Sequence, residues 1–256
     1  MMAFISFLKK EILESFRSGK LIILGILFIC FGIMNPAIAK LTPWMLEIMS
    51  EELSNSGMTV TEVTVDALTS WTQFFNNIPM ALIAVVIIYS TSFSREYTSG
   101  TLTLIVTKGL ARYKILLAKA LVMLSVWTVG YYLCFVVTYA YNAYFWDNSV
   151  AAGLGTAAVY WWLFGIWVLS ASVLFSVLFS SSSAVLVGTG GVTVVGYLIS
   201  LIPRVGRYSP AVLMGAVAVP VGVEPDGSLL KGAIVATALS VVFIIASVPI
   251  INKKQL

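Results

Sequence analysis

The sequence predicts an all-α polytopic membrane protein with six transmembrane helices, formed by residues 1–256 as a single transmembrane domain. Of its 256 residues, 59% are hydrophobic and only 10% are charged, whereas a soluble domain carries about 25% charged residues. Six separate apolar runs approach the roughly 20 residues that a helix needs to cross the hydrocarbon core. The basic residues also divide unequally between alternate loops, as loops on opposite sides of a membrane do.

The six predicted spans contain no Asp, Glu, Lys, Arg or His in their interiors. They cover about residues 21–39, 78–94, 120–140, 154–179, 184–202 and 232–251. A further apolar stretch, 211–221, is too short to cross and is interrupted by Gly215 and Pro220. We therefore interpret residues 203–231 as a re-entrant or interfacial segment on the outer side.

The basic residues predict the orientation of the chain. With six spans, 11 of the 15 Lys and Arg residues fall on the side that holds both termini, and 8 of the 11 Asp and Glu residues fall on the other side. Because Lys and Arg are retained on the cytoplasmic side, we expect a multi-pass protein of the cell membrane with both termini in the cytoplasm.

Residues 1–20 have the pattern of an amphipathic helix. Its apolar positions recur every four residues at Phe4, Leu8, Ile12 and Phe16, and the opposite face carries Ser6, Lys10, Glu14 and Arg17. Such a helix lies in the membrane interface, with its basic face toward anionic headgroups. The pattern fits both a simple surface anchor and a lever that leads into the first span.

Residues 95–119 form the longest predicted cytoplasmic segment. Thr101 is a suitable N-cap and Gly109 a suitable helix stop, and together they bracket a helix of about two turns. The alternating β-branched residues of 101–107 favour a strand instead. After Ala111 the pattern is helical and leads directly into the third span.

This segment resembles the cytoplasmic motif of ABC-2 type exporter permeases. The resemblance rests on Glu96, Gly100, Thr101, Thr107, Arg112 and Lys119, which precede a span in the same order. It implies a short coupling helix that docks on an ATP-binding subunit, and it favours a helix over a strand at 102–108. The candidate coupling residues are Glu96, Gly100, Thr101, Thr107, Lys108 and Arg112. Many members have proline where this chain has Gly109, which loosens the end of the helix.

The resemblance extends over essentially the whole chain. It implies an N-terminal amphipathic elbow helix, six spans and an outer re-entrant hairpin between spans five and six. It also implies a second permease copy or a paralogue, with spans two and five lining the interface through which cargo would pass. Span five is rich in small residues at spacings that let helices approach closely. The candidate interface or pathway residues are Gly188, Gly191, Gly196 and Ser200.

The function predicted from these features is the permease subunit of an ATP-driven exporter for a hydrophobic or amphipathic cargo, such as a peptide or an antibiotic. The chain has no histidine and no P-loop motif, so we predict no catalytic or metal site, no cofactor of its own and no nucleic-acid partner. ATP and Mg would bind to the partner subunit. Proton-coupled carriers usually hold ionisable residues at mid-membrane, and the spans have none. A secondary transporter or channel that acts without ATP, for example one coupled to sodium, stays open as an alternative, and so does a non-transporting sensor or anchor subunit.

Three features of the outer side complete the predictions. The outer loop 40–77 is acidic, and it either caps the outside or attracts cationic peptides; its residues 58–66 alternate as a short strand would. Asn35-Pro36 predicts a kink, with Asn35 either covering the carbonyl that proline frees or bonding a neighbouring helix. The aromatic residues around 139–146 are interpreted as interfacial anchors.

Overall fold

The computed structural model describes residues 2–54, 65–98, 107, 110–223 and 227–253, and this part of the chain is helical without strands. The helices are α1 (Met2–Arg17), α2 (Lys20–Ser54), α3 (Ala67–Thr98), α4 (Arg112–Phe145), α5 (Leu154–Leu178), α6 (Ser182–Ser200) and α7 (Ser228–Lys253). Short 3₁₀ helices follow α4 at Asn148–Val150 and follow α6 at Gly206–Tyr208 and Pro210–Val221.

Six of these helices, α2 to α7, are long and apolar enough to cross a membrane. The all-α class and the six predicted spans are therefore confirmed. The helix α1 precedes them as a separate element, because the chain turns at Gly19, whose φ of +77° is readily adopted only by glycine.

The prediction of an outer loop at 40–77 is wrong over most of its length, because both of its ends are helical. The helix α2 continues to Ser54, and α3 already begins at Ala67. Helical hydrogen bonds are local, so a helix does not stop where the chain leaves the apolar core. Asp66 caps α3 by accepting a hydrogen bond from the Thr69 N–H at 3.1 Å. The strand predicted at 58–66 lies outside the described residues, except for 65–66, which have no regular structure.

The predicted cytoplasmic segment 95–119 is helical at both ends. Its first residues belong to α3, which ends at Thr98, and its last residues belong to α4, which begins at Arg112. We call the connecting residues 99–111 the coupling segment, after the role that the family resemblance implies for them. The helix expected at 102–108 lies outside the described residues, except for Thr107, whose backbone is helical.

The core of the bundle is aromatic and lies around α5, which contacts α3, α4, α6 and α7. Its largest fully buried side chains include Trp71, Phe74, Trp127 and Tyr131. Two of them bond across the α4–α5 contact: Trp127 Nε1 donates to the Trp162 carbonyl at 3.1 Å, and Tyr131 Oη donates to the Ala158 carbonyl at 2.8 Å. Hydrogen bonds and ring packing together therefore define the pairing of α4 with α5.

The contact of α2 with α4 replaces a hydrogen bond that proline removes. Pro36 has no N–H to donate to the carbonyl of Gly32, four residues before it. Thr138 of α4 donates to that carbonyl at 3.0 Å and accepts from Asn35 Nδ2 at 3.3 Å. Asn77 of α3 donates to Asn35 Oδ1 at 2.9 Å. Asn35 thus bonds neighbouring helices, which was one of the two predicted roles, and Thr138 covers the freed carbonyl.

The apolar stretch within 203–231 forms the 3₁₀ helix Pro210–Val221. At a rise of about 2.0 Å per residue it spans about 24 Å, less than the hydrocarbon thickness of roughly 30 Å. It packs against α5, α6 and α7 and buries Leu213 and Ala216 among them. Ser209 ties its start to α6 by donating to the Gly196 carbonyl at 2.6 Å. Its description as a re-entrant hairpin remains a prediction.

Candidate functional site

Two of the candidate coupling residues, Glu96 and Arg112, lie where α3 ends and α4 begins. Glu96 lies in the last turn of α3 and Arg112 is the first residue of α4. Gly100, Thr101 and Lys108 lie outside the described residues. Because α3 and α4 pack against each other, the two ends of the coupling segment are attached to neighbouring helices.

Arg112 connects the start of α4 to the end of α7. Its Nη1 donates to the carbonyl oxygen of Asn252 at 3.3 Å. The last carbonyls of a helix have no partner within the helix and carry its partial negative charge, so a guanidinium is favoured there. This hydrogen bond joins the C-terminal end of α7 to the start of α4, next to the coupling segment, at one end of the bundle.

The first turns of α4 also hold α1. Phe7 of α1 is buried against Leu110, Ile115 and Ala118. Leu110 is the second-to-last residue of the coupling segment, so α1 contacts the segment itself as well as the helix that follows it. The helix α1 is consequently packed against the bundle along one side, while Ile12 and Phe16 remain exposed on another.

A buried ion pair lies at the centre of this contact. Lys119 Nζ on α4 is 2.9 Å from Glu11 Oε2 on α1, and the two side chains are only 4% and 8% exposed. Lys10 also donates to the other carboxylate oxygen of Glu11, at 3.1 Å. The Coulomb attraction between such groups is strong where water is excluded, and neither charge would be tolerated there alone.

Polar groups from three helices surround this pair. Ser15 of α1, Lys20 of α2 and Tyr89 of α3 line the same small cavity as Glu11 and Lys119. Lys20 Nζ lies 6.0 Å from the centre of the Tyr89 ring, at the outer limit of a cation–π contact. The ion pair is therefore the middle of a polar cluster that joins α1, α2, α3 and α4.

The exposed side of α1 carries a second ion pair, between Lys10 and Glu14, which is open to solvent. Burial opposes ionisation of Glu14, but its pair with Lys10, one turn earlier, lowers the pKa of the carboxyl. Glu14 therefore remains an anion at neutral pH. Half of its side chain is exposed, so this pair contributes little to stability compared with the buried one.

The pairing of Glu11 with Lys119 was missed by the sequence predictions. They counted Glu11 only as a charge of the cytoplasmic side, and Lys119 only as such a charge and as part of the family motif. A signal was present. Phe7, Glu11 and Ser15 recur every four residues, so they share one face of α1, and Lys119 lies next to an apolar run. A lysine at such a position calls for a counter-charge.

Residues 5–206 match the family described as ABC-2 family transporter protein. The match begins in α1 and includes every helix through α6, which is most of the chain. The chain belongs to the ABC-2 transporter family. No curated protein matches the sequence.

In this ABC-2 permease, the four small residues singled out on α6 divide between two faces. A Cβ at Gly188 would lie 2.6 Å from the ring of Phe175, and one at Gly196 would lie 2.9 Å from the ring of Trp167, so both glycines allow close packing on α5. A Cβ at Gly191 would meet nothing within 4 Å. Ser200 is partly exposed and donates to the carbonyl of Tyr197.

The outward face of α6 is apolar and unusually open. Val187 is 75% exposed, and Val194 and Leu198 are more than half exposed. The neighbouring α3, which contacts α6, also exposes Met80 and Ile83. Two adjacent helices of the permease thus present apolar side chains away from its own core.

Proposed function

We propose that this permease is the membrane-spanning subunit of an ATP-driven exporter, and that its coupling segment docks on a separate ATP-binding subunit. Membership of the ABC-2 family supports the class, because permeases of this family work with an ATP-binding subunit. The chain has no P-loop, so ATP and Mg would bind to the partner, and this chain would supply the membrane path.

The observation that carries the proposal is the attachment of the coupling segment to the bundle. The segment follows α3, runs into α4 and touches α1 through Leu110 and Phe7. The buried pair of Glu11 and Lys119 then joins α1 to α4. Helices packed together in this way transmit displacement, because packed interiors are too dense to absorb it. Movement of the ATP-binding subunit would therefore shift α1, α3 and α4 together.

The second copy, or a paralogue, would pack against α3 and α6. Their exposed apolar faces support this assignment, and the open position at Gly191 allows close approach of another helix. The cargo path would lie between the two permeases. The charge-free interiors of the predicted spans favour a hydrophobic or amphipathic cargo, such as a peptide or an antibiotic.

The basic end of the bundle, which holds Lys119, Arg112 and both termini, would face the cytoplasm of the cell that carries the protein in its membrane. The excess of Lys and Arg at this end supports the assignment. An ATP-binding subunit is a cytoplasmic protein, so the coupling segment must be on this side for the proposal to hold.

The proposal is tested by co-expressing the permease with an ATP-binding subunit and measuring complex formation, ATP hydrolysis and export in vesicles. Two changes address the coupling segment: Glu96→Lys reverses a charge at the end of α3, and Gly100→Pro with Thr101→Ala removes the expected N-cap. We expect both to reduce export and substrate-stimulated hydrolysis while the amount of inserted protein stays near the wild-type level. Glu62→Lys, on the outer side, is the matched control and should leave coupling intact.

Other outcomes would assign the permease to another class. If the variants assemble, hydrolyse ATP and export like the wild type, the coupling segment is only a connector. Transport by the purified chain without nucleotide would indicate a secondary carrier. Complex formation without any transport would indicate a sensor or anchor subunit.

A further inference from the structure

A second cavity opens at the far end of α4, away from the Glu11–Lys119 pair, and has a volume of about 610 Å³. We call it the α4–α5 cavity, because its walls come from α4, from the turn after it and from the start of α5. Its size falls within the roughly 300–1,000 Å³ of small-molecule sites. Its walls include Phe135, Tyr139, Trp146, Asp147, Asn148 and Leu154.

One wall of the cavity is made of aromatic rings. The rings of Phe135 and Tyr139 are stacked, with centroids 6.4 Å apart and planes inclined by 24°. Trp71 supports Phe135 from α3, with ring centroids 5.0 Å apart. Aromatic faces carry a negative quadrupole and attract cations within about 6 Å of the ring centre.

The rim of the cavity carries a carboxylate. Asp147 accepts hydrogen bonds from the backbone N–H of Ser149 at 2.8 Å and from its hydroxyl at 2.6 Å. These bonds orient the side chain and hold the pKa of the Asp147 carboxyl below its usual range. The group is therefore an anion at neutral pH, and a carboxylate has further lone pairs to offer to a ligand.

The rim is also held rigidly in place. Asn148 Oδ1 accepts from Trp71 Nε1 at 3.0 Å, and Asn148 Nδ2 donates to the carbonyl of Tyr139 at 3.1 Å. One side chain thus binds both α3 and α4 at the mouth of the cavity. Groups fixed before a ligand arrives lose little entropy when it binds.

An amine already occupies an aromatic face beside this cavity. Lys40 Nζ lies 3.9 Å from the centre of the Phe145 ring. Phe145 precedes Trp146 on the same chain segment, and the two rings are in contact. The aromatic cluster at this end of the permease therefore binds the ammonium group of its own chain. Interfacial anchoring alone, which we predicted for these residues, does not call for a carboxylate or a cavity.

We propose that the α4–α5 cavity binds the ammonium group of a cationic amphiphile, between the carboxylate of Asp147 and the rings of Phe135 and Tyr139. The alkyl part would lie along the apolar wall near Leu154. This inference stands apart from the proposed export function, because it concerns equilibrium binding to the permease alone. Two sources share the chemistry: a lipid with an ammonium headgroup and a diffusible alkylammonium compound.

The test is photolabelling of the purified permease in nanodiscs of phosphatidylglycerol. The probe is dodecyltrimethylammonium with a diazirine in its chain, and an isostere with a tert-butyl group in place of trimethylammonium is the uncharged control. Labelled positions are mapped by mass spectrometry, and half-saturation is measured. We expect saturable labelling of residues around the cavity by the cation and not by its isostere.

Three variants change the cavity in independent ways. Asp147→Asn keeps a capping side chain but removes the charge, and should raise the half-saturating concentration roughly two- to fivefold. Tyr139→Leu removes one ring and should raise it by about the same factor. Gly155→Leu narrows the cavity at a position where a Cβ meets nothing within 4 Å, and should also weaken labelling.

Two variants outside the cavity serve as matched controls, one for the loss of the carboxylate charge and one for the loss of an aromatic ring. Asp66→Asn also neutralises a capping aspartate, since Asp66 accepts from Thr69, but Asp66 does not line the cavity. Tyr144→Leu removes a ring that is 82% exposed and outside the cavity. Both controls should label like the wild type. Equal labelling of all variants, or equal labelling by the uncharged isostere, would overturn the proposal.

Competition separates the two sources. Adding phosphatidylcholine to the nanodiscs should reduce labelling if the natural occupant is a lipid headgroup. Reduction by soluble hexyltrimethylammonium alone would identify a diffusible compound. Failure of both competitors would contradict an ammonium site. None of these measurements uses ATP hydrolysis, so failure here and failure of the export proposal are distinguishable.

Discussion

Glu11 and Lys119, 108 residues apart in the sequence, form a buried ion pair between α1 and α4, with 2.9 Å separating the carboxylate oxygen from the ammonium nitrogen. The pair lies beside the coupling segment and is surrounded by Ser15, Tyr89 and Lys20. It joins the first helix of the permease to α4, the helix that follows the segment that we expect to meet the ATP-binding subunit.

Removing one member of this pair should destabilise the permease strongly, because the other charge is left buried without its partner. We expect Glu11→Gln and Lys119→Met each to lower the free energy of unfolding by about 3–5 kcal/mol. The double change Glu11→Met with Lys119→Met should recover much of the loss, since no charge then remains buried. Reversible unfolding in mixed detergent micelles measures all three.

Glu14→Gln is the control for this series. Glu14 belongs to the same helix, but its pair with Lys10 is half exposed, so its removal should change stability by less than about 1 kcal/mol. If the buried and exposed changes have equal effects, or if the double change is worse than either single one, the ion pair does not hold α1 to α4.

The contact between Thr138 and Gly32 predicts an unusual rescue. Thr138→Val leaves the Gly32 carbonyl without a donor and should cost roughly 0.6–2 kcal/mol, the range for hydrogen bonds between membrane helices. Pro36→Ala restores a backbone N–H that can reach this carbonyl within α2. Thr138→Val should therefore cost less in the Pro36→Ala background, and a double-mutant cycle of unfolding free energies measures the coupling. Strict additivity would contradict the exchange of one donor for the other.

Two glycines should respond oppositely to substitution. A Cβ at Gly165 would lie 2.3 Å from the indole of Trp127, which is fully buried. Gly165→Ala should therefore cost about 1–3 kcal/mol through overpacking. Gly191→Ala adds a methyl group in open space, and its better helix propensity, about 1 kcal/mol at most, should leave the unfolding free energy unchanged or slightly higher. Similar losses at both positions would refute this division of the glycines.

A larger side chain at Gly191 tests the proposed second copy. Gly191→Leu should leave the unfolding of the single permease near the wild-type value, because the position faces away from its own core. It should reduce the dimeric fraction in cross-linking or in mass measurements of nanodiscs, because a bulky residue prevents close approach of another helix. An unchanged dimeric fraction would place the interface elsewhere.

Orientation is tested with single cysteines in a background lacking Cys30 and Cys134. Ser228 begins α7 and Ser180 lies in the short connection between α5 and α6, at opposite ends of the bundle in a six-span topology. A cysteine at Ser228 should react with a membrane-impermeant thiol reagent applied to intact cells, and a cysteine at Ser180 should react only after lysis. The reverse pattern would invert the predicted topology.

The class of the protein and the number of its spans follow from the amino-acid sequence. Backbone N–H and C=O groups inside a membrane must form their hydrogen bonds within the helix. An apolar run of sufficient length therefore adopts a membrane-spanning helix. The family was also recognisable from the sequence, through the motif that includes Glu96, Thr101 and Arg112. A motif is defined by the order of residues along the chain, so it can be read without the tertiary structure. The limits of α2 and α3 were predicted less well, since helices continue past the apolar core, although Asp66 was a readable N-cap.

Which residues contact one another across the bundle is visible only in the folded protein. Glu11 pairs with Lys119, and Thr138 donates to the carbonyl freed by Pro36. The rings of Phe135 and Tyr139 line one cavity together with Asp147. Apolar spans have no strong sequence code for their neighbours, because lipid tails solvate them as well as another helix does. Their arrangement is selected by the packing of side chains and by a few buried polar contacts, which exist only after the helices have assembled.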